Sequence, residues 1–223
     1  MTHALQDTPG FRFATVTPMR RFAAFVQIWS LSLLACAAAA AFSFVHLDVP
    51  VARYFWDAAH PLERLAGGFG SRVILSCEAA VILTIGLVRL VRGHTPAFAK
   101  ALAIACLASM CAYVINDHIL KILCGVPAPA EVIEGAGHAF NIWRGSEGSS
   151  FPSGHMVLAS AFAGVLMRLY RSGIAPLCVL LLLGAGLLLV GDWHFVSDII
   201  AGAFFGTTAG LLAGELWVAH SSA

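Results

Sequence analysis

Charge is scarce in this sequence. Asp, Glu, Lys and Arg make up 11% of the 223 residues, where a soluble domain carries about 25%. The shortage excludes an ordinary soluble domain, because 59% of the residues are hydrophobic and the mean hydropathy is +0.84. Excess positive charge is missing too. The formal net charge is +1, so no basic face points to a nucleic-acid partner. A disulfide framework is also lacking. Cys36, Cys77, Cys106, Cys111 and Cys178 lie inside apolar runs, Cys124 falls in an expected loop, and no CxxC pair occurs. They read as small buried hydrophobes rather than metal or redox centres. There is no internal repeat, and the only low-complexity stretch is the alanine tract Ala37 to Ala41.

Long apolar runs are what the chain does have. A membrane helix needs about 20 mostly apolar residues. Six segments qualify, near 22–45, 71–91, 97–120, 154–171, 174–191 and 195–218. The expected fold is therefore all-α, a bundle of six transmembrane helices. Residues 1–21 would precede it, 22–219 would form the membrane domain, and 220–223 would be a tail. Between the first two segments, "DVPVARYFWDAAHPLERLAGG" reads as an interfacial helix or short loop, with Tyr54 and Trp56 suited to headgroup level. "LLACA" at Leu33 to Ala37 loosely resembles a lipoprotein cleavage site, but the apolar run continues past Phe42. That exceeds the roughly 7–15 residues of a signal peptide's apolar region, so an uncleaved first helix is expected.

Basic residues set the orientation. Arg12, Arg20, Arg21, Arg89, Arg92, Lys100, Arg168 and Arg171 fall on one side of the six segments. Arg53, Arg64, Arg72, Lys121 and Arg144 fall on the other, diluted by acids that include Asp48, Glu131, Glu134, Glu147 and Asp192. The positive-inside rule puts both termini in the cytoplasm, and the connection near 121–153 and the one at Asp192 outside.

Three polar clusters share that outer side. In "SSFPSGHMVLASAF", Ser149 to Phe162, Pro152 suits a first helical turn and Ser149 or Ser150 can cap it. A helix starting there presents free N–H groups at Ser153, Gly154 and His155, a phosphate-binding construction with a proton donor attached. A plain loop-to-helix junction is the bland alternative. In "GDWHFVSDIIAG", His194 and Asp198 stand i, i+4 at a helix start. Asp198 can fix the tautomer and leave the second ring nitrogen of His194 as nucleophile or base. In "KILCGVPAP", Lys121 either anchors the helix end at the interface or supplies charge to a phosphate.

In this combination, Lys121 with Pro129, Pro152 to His155, and His194 with Asp198, the sequence resembles the type 2 phosphatidic acid phosphatase (PAP2) superfamily of integral membrane lipid phosphatases. The resemblance implies a phosphohydrolase that needs neither metal nor cofactor and acts on a phosphorylated lipid, at the periplasmic face of a bacterial-type inner membrane. By carry-over, His194 attacks phosphorus, Asp198 orients it and His155 protonates the leaving alkoxide. Lys121, Ser153 and Gly154 hold the phosphoryl oxygens. The chain departs from the family at two arginines. Ala128 and Val126 stand where the first motif has its arginine, and Leu187 and Leu188 where the third has Ser-Arg. Arg144 is the expected substitute, with His138 as a possible helper. Alternatives are a phosphotransferase using the same phosphohistidine, a binding protein without turnover, and a His–Asp zinc hydrolase. The lipid's identity and the oligomeric state are left open.

Overall fold

The structure, a computed structural model, describes residues 18–66 and 70–221, and every regular element among them is helical. In chain order these are α1 (Pro18–His46), α2 (Asp48–Ala66), α3 (Gly70–Arg92), α4 (Ala97–Ile115), α5 (Lys121–Cys124), α6 (Pro129–Ile133), α7 (Gly154–Leu169), α8 (Ile174–Val190) and α9 (Val196–Ser221). The expected interfacial segment is thus a full helix, α2. α9 runs through Ser221, so the tail expected from residue 220 begins inside a helix. Of the expected N-terminal segment 1–21, residues 1–17 lie outside the described residues, as do 222 and 223 of the tail.

Among the described residues, five stretches are long and apolar enough to cross a membrane: Phe25–His46, Gly70–Arg92, Ala97–Ile133, Arg171–Val190 and Val196–Ser221. The sixth expected crossing, α7, is shorter. Its 16 residues span about 24 Å, against a hydrocarbon core of about 30 Å. It stops at Tyr170, whose extended backbone leads into a 3₁₀ turn at Arg171–Gly173. The chain divides into two units, Met1–Ala35 and Cys36–Ala223, and the packing described below belongs to the second.

α7 packs mainly on α9 and α4. Four glycines of α9, Gly202, Gly206, Gly210 and Gly214, recur every fourth residue and are all buried. They form a small-residue stripe of the kind that lets membrane helices approach backbone to backbone. A Cβ on Gly210 would lie 2.1 Å from the Ala161 carbonyl oxygen, and one on Gly206 2.5 Å from that of Val157. Hydroxyls add interhelical bonds: Ser109 donates to the Leu158 carbonyl at 3.0 Å, and Ser160 to that of Gly202 at 3.3 Å. On α3 and α8 the apolar residues face outward instead. Leu83, Leu87, Leu90, Leu180, Leu182 and Leu183 are exposed, which water penalises and hydrocarbon does not. Cys77, Cys111 and Cys178 share that exposure, and among the six cysteines only Cys106 is buried as expected. Cys124 ends α5 rather than lying in a loop.

α4 continues through a π-helical turn, Asn116–Leu120, into α5. Gly125 closes it in the left-handed conformation at φ 60°, its N–H donating to the Lys121 carbonyl at 2.9 Å. The loop that follows then returns along α5. The N–H groups of Asn141, Trp143 and Gly145 donate to the carbonyls of Cys124, Leu123 and Ile122 at 3.0, 3.1 and 3.1 Å. These bonds satisfy the open end of the helix. Gly145 is required by the approach, since a Cβ there would meet the Lys121 carbonyl oxygen at 2.1 Å.

Candidate active site

The start of α9 is built around Asp198. Its Oδ2 accepts from the Phe195 N–H at 2.8 Å and so closes the first turn of the helix from its third position. The same oxygen lies 3.5 Å from Nδ1 of His194, which stands just before the helix. That exceeds a formed hydrogen bond, a separation often found in His–carboxylate pairs of enzymes with no substrate bound. Asp198 is fully buried and His194 is 8% exposed, so solvent scarcely screens the pair.

His155, the second residue of α7, faces His194 with Nδ1 at 3.3 Å from its Nε2. The chemistry of the partners orders the protons. An ionised Asp198 only accepts, which places the His194 proton on Nδ1 and leaves Nε2 with a lone pair. His155 Nδ1–H is then the donor in the contact between the rings. On its far side His155 abuts Gly70, where a Cβ would lie 2.1 Å from Nε2. Trp193 stacks on the ring with centroids 5.7 Å apart.

Ser153 caps α7. Its Oγ accepts from the Met156 N–H at 3.3 Å, and its own N–H donates to the Asp198 carbonyl at 3.1 Å. The cap is therefore not Ser149 or Ser150, and Pro152 precedes the cap instead of opening the helix. Ser149 Oγ accepts from the Ser146 N–H, and Ser150 Oγ donates to the Pro127 carbonyl. Both serines are used to fold the loop. Gly154 admits an aromatic neighbour: a Cβ there would lie 2.9 Å from the Tyr113 ring.

Lys121 is buried, its ammonium 2.8 Å from Asp117 Oδ1 and donating to the Glu147 carbonyl at 2.9 Å. An ammonium has three donors, so one remains. Arg144 is exposed, and its backbone N–H donates to the Asn141 carbonyl; the structure does not bring its side chain onto the histidines. His138 turns away from them, with Nε2 3.5 Å from Asp48 Oδ2.

Several contributors carry no motif signal. Asn116 Nδ2 donates to the Pro152 carbonyl at 3.2 Å and ties the π turn to the mouth of α7. Gly70 shapes the back of His155, and Arg72 follows two residues later on α3, exposed. The i, i+4 spacing of Asp117 and Lys121 was a readable signal; Gly70 had none. Asp117, His118 and Glu147 have ligand atoms within 4.8 Å of one another and are the one metal-capable group of this kind among the described residues. The Lys121 ammonium already balances Asp117 there. A cavity of about 450 Å³ opens beside His155 and Trp193, walled by Val73, Leu180, Leu181 and Leu188.

The family model described as PAP2 superfamily matches residues 100–219. That is more than half of the chain and contains all three polar clusters. No curated protein and no solved structure matches the chain. The matched stretch runs from the first turn of α4 to the last turn of α9 and includes the His155–His194–Asp198 chain of contacts, and this protein belongs to the PAP2 superfamily.

Proposed function

We propose that this protein is an integral membrane phosphatase that hydrolyses a lipid phosphate monoester or diphosphate through a phosphohistidine. The observation that carries the reading is the series Asp198, His194, His155, the first two buried and the third half-buried, with 3.5 Å and 3.3 Å between successive polar atoms. His194 Nε2 attacks phosphorus while its Nδ1–H turns to Asp198. His155, protonated once the negative phosphate lies beside it, gives its Nδ1 proton to the leaving alkoxide as the P–O bond breaks. In the second step neutral His155 takes a proton from water, whose oxygen attacks the phosphohistidine; phosphate leaves and His194 is regenerated.

An in-line transfer needs more room than 3.3 Å between the ring nitrogens. A near-attack distance of about 3 Å, a P–O bond of about 1.6 Å and a hydrogen bond of about 2.8 Å, bent at the leaving oxygen, together require about 6.5 Å. Substrate binding therefore moves the rings apart, and the free donor of Lys121 and the start of α7 receive the phosphoryl charge. The apolar cavity beside His155 favours a substrate with hydrocarbon next to its phosphate. α1, α3, α4, α7, α8 and α9 are the six crossings in this reading, with α2 at the interface, the termini cytoplasmic and the site outside. A bacterial inner membrane fits that arrangement.

The test is phosphate release by the purified full-length chain across diacylglycerol phosphates, polyprenyl diphosphates and lipid A phosphates, with His194→Ala and orthovanadate beside the wild type. Release that His194→Ala abolishes and vanadate inhibits is expected. Release that survives His194→Ala refutes the phosphohistidine. Transfer of phosphate to a lipid hydroxyl instead of water would make it a phosphotransferase. A binding-only role is favoured by the engagement of Lys121 with Asp117 and by the missing arginines; it requires binding of these lipids without release.

A further inference from the structure

We propose that Asp48, acting through Ser197 and braced by His138, is a positioning residue that holds Asp198 toward His194; the inference rests on the phosphohistidine reading above. Asp48 opens α2 and is 149 positions from Ser197 in sequence. Its side chain is fully buried. A buried carboxylate is costly unless it is bonded, and this one is well supplied. Oδ1 accepts from the Ser197 N–H at 3.0 Å, and Oδ2 accepts from the Ser197 hydroxyl. His138 Nε2 stands 3.5 Å from Oδ2.

The target of these bonds gives the cluster its meaning. Ser197 is the second residue of α9, between His194 and Asp198, and its N–H is one of the helix's open donors. Two carboxylates divide the work at this helix start. Asp48 takes the Ser197 N–H from outside, and Asp198 takes the Phe195 N–H from within. Without Asp48 the Ser197 N–H and hydroxyl lose their shared acceptor, and the first turn of α9, which carries Asp198, loses its tether to α2. A shift of that turn would draw the Asp198 carboxylate off His194 Nδ1. His138 secures the same turn by packing. It stacks on Phe44 at 4.1 Å between centroids and leans on Phe195 at 4.5 Å.

The experiment compares Asp48→Ala, Asp48→Asn and His194→Ala in the full-length chain in detergent micelles. A short-chain diacylglycerol phosphate is the probe, and thermal unfolding is recorded beside kcat and KM. A displacement of about 1 Å at a reacting group costs up to about 10²-fold in rate. Asp48→Ala is therefore expected to lower kcat by about that factor with KM little changed. Asp48→Asn, which keeps an oxygen for the Ser197 N–H, is expected to recover part of the loss. Wild-type kcat in folded Asp48→Ala, a change confined to KM, or no recovery in Asp48→Asn overturns the inference. If Asp48→Ala does not fold, Asp48→Asn decides: its amide has one oxygen and cannot accept from both the Ser197 N–H and the Ser197 hydroxyl, so a partial loss of kcat with KM little changed is expected, and wild-type kcat overturns the inference. His194→Ala separates the two levels. If it keeps turnover, the phosphohistidine reading and this inference fall together; if it abolishes turnover while the Asp48 variants stay at wild-type kcat, this inference alone falls.

Discussion

Alanine at Gly210 tests what keeps the two histidines in register. His155 and His194 sit at the starts of α7 and α9, so their separation depends on how closely those helices lie. Helix propensity alone favours the change by about 1 kcal/mol. Packing opposes it. The new Cβ would lie 2.1 Å from the Ala161 carbonyl oxygen and 3.0 Å from Gly164 Cα, both backbone atoms with no rotamer to yield. Relief requires the helices to part by roughly 1 Å, and overpacking of this kind costs about 1–3 kcal/mol. With backbone on both sides the upper end applies, and a net loss of about 2 kcal/mol is expected. Activity falls with it, by about 10- to 10²-fold, as the imidazoles lose their spacing.

Gly214 is the internal control, on the same stripe. A Cβ there meets Arg168 Cβ at 2.9 Å and Cγ at 3.0 Å, while the nearest backbone atom, the Val165 carbonyl oxygen, lies 3.5 Å away; the Cγ can rotate and the Cβ has only a few tenths of an ångström to give. Gly214→Ala is expected to cost less than Gly210→Ala, no more than about 1 kcal/mol. Thermal unfolding in detergent and phosphate release on the same preparations measure both effects. The reasoning is refuted if Gly210→Ala is more stable than wild type, or if Gly214→Ala is the more damaging of the two.

Further outcomes follow from the same geometry. EDTA should leave turnover unchanged; if zinc restored a loss caused by EDTA, the Asp117–His118–Glu147 group would become the centre of a different mechanism. In a background without accessible native thiols, Ser146→Cys should react with an impermeant thiol reagent from outside intact cells and Ser172→Cys only after permeabilisation, the reverse placing the site in the cytoplasm. If substrate draws the exposed Arg144 over the mouth of α7, Arg144→Ala should cost roughly 10²–10³ in rate, the scale of one lost anion-stabilising donor, with Arg144→Lys recovering part. The same loss at Arg72→Ala instead would move that role to the first turn of α3, and wild-type turnover in both variants would refute a substitute arginine.

The helices were legible because each apolar run is long and interrupted by polar residues at its ends. Their joining was less so. Glycines spaced every fourth residue from Gly202 to Gly214 were in plain view, yet hydropathy treats them as neutral and says nothing of which helix they meet. His155, His194 and Asp198 could be nominated from local spacing, since a His–Asp pair at i, i+4 and a Pro-Ser-Gly-His helix mouth each have chemistry of their own. Ser153 could be named, but its use as the cap depends on where the helix begins, a boundary that Pro152 obscures. Asp48 could not be found this way. Its carboxylate meets Ser197 only after the chain has folded, and in sequence it is one acid in a mixed, aromatic stretch.

The missing family arginines close on a physical contrast between two neighbouring positions. Val126 is fully buried and packs with Ala52 and Phe195; it is part of the support beneath His194. Val126→Arg would bury an unpaired guanidinium in that cluster, at a cost of about 3–5 kcal/mol, and should give little folded protein. Ala128, directly before Pro129, is half-buried, and its N–H is held by the Glu131 carboxylate at 3.0 Å. A longer side chain there can reach solvent without displacing the core. Ala128→Arg is therefore expected to fold as the wild type does and to raise phosphate release, toward the roughly 10²-fold that one well-placed donor supplies. Active, folded Val126→Arg beside an inert Ala128→Arg would show that the cluster around Phe195 is not what excludes an arginine from the first motif.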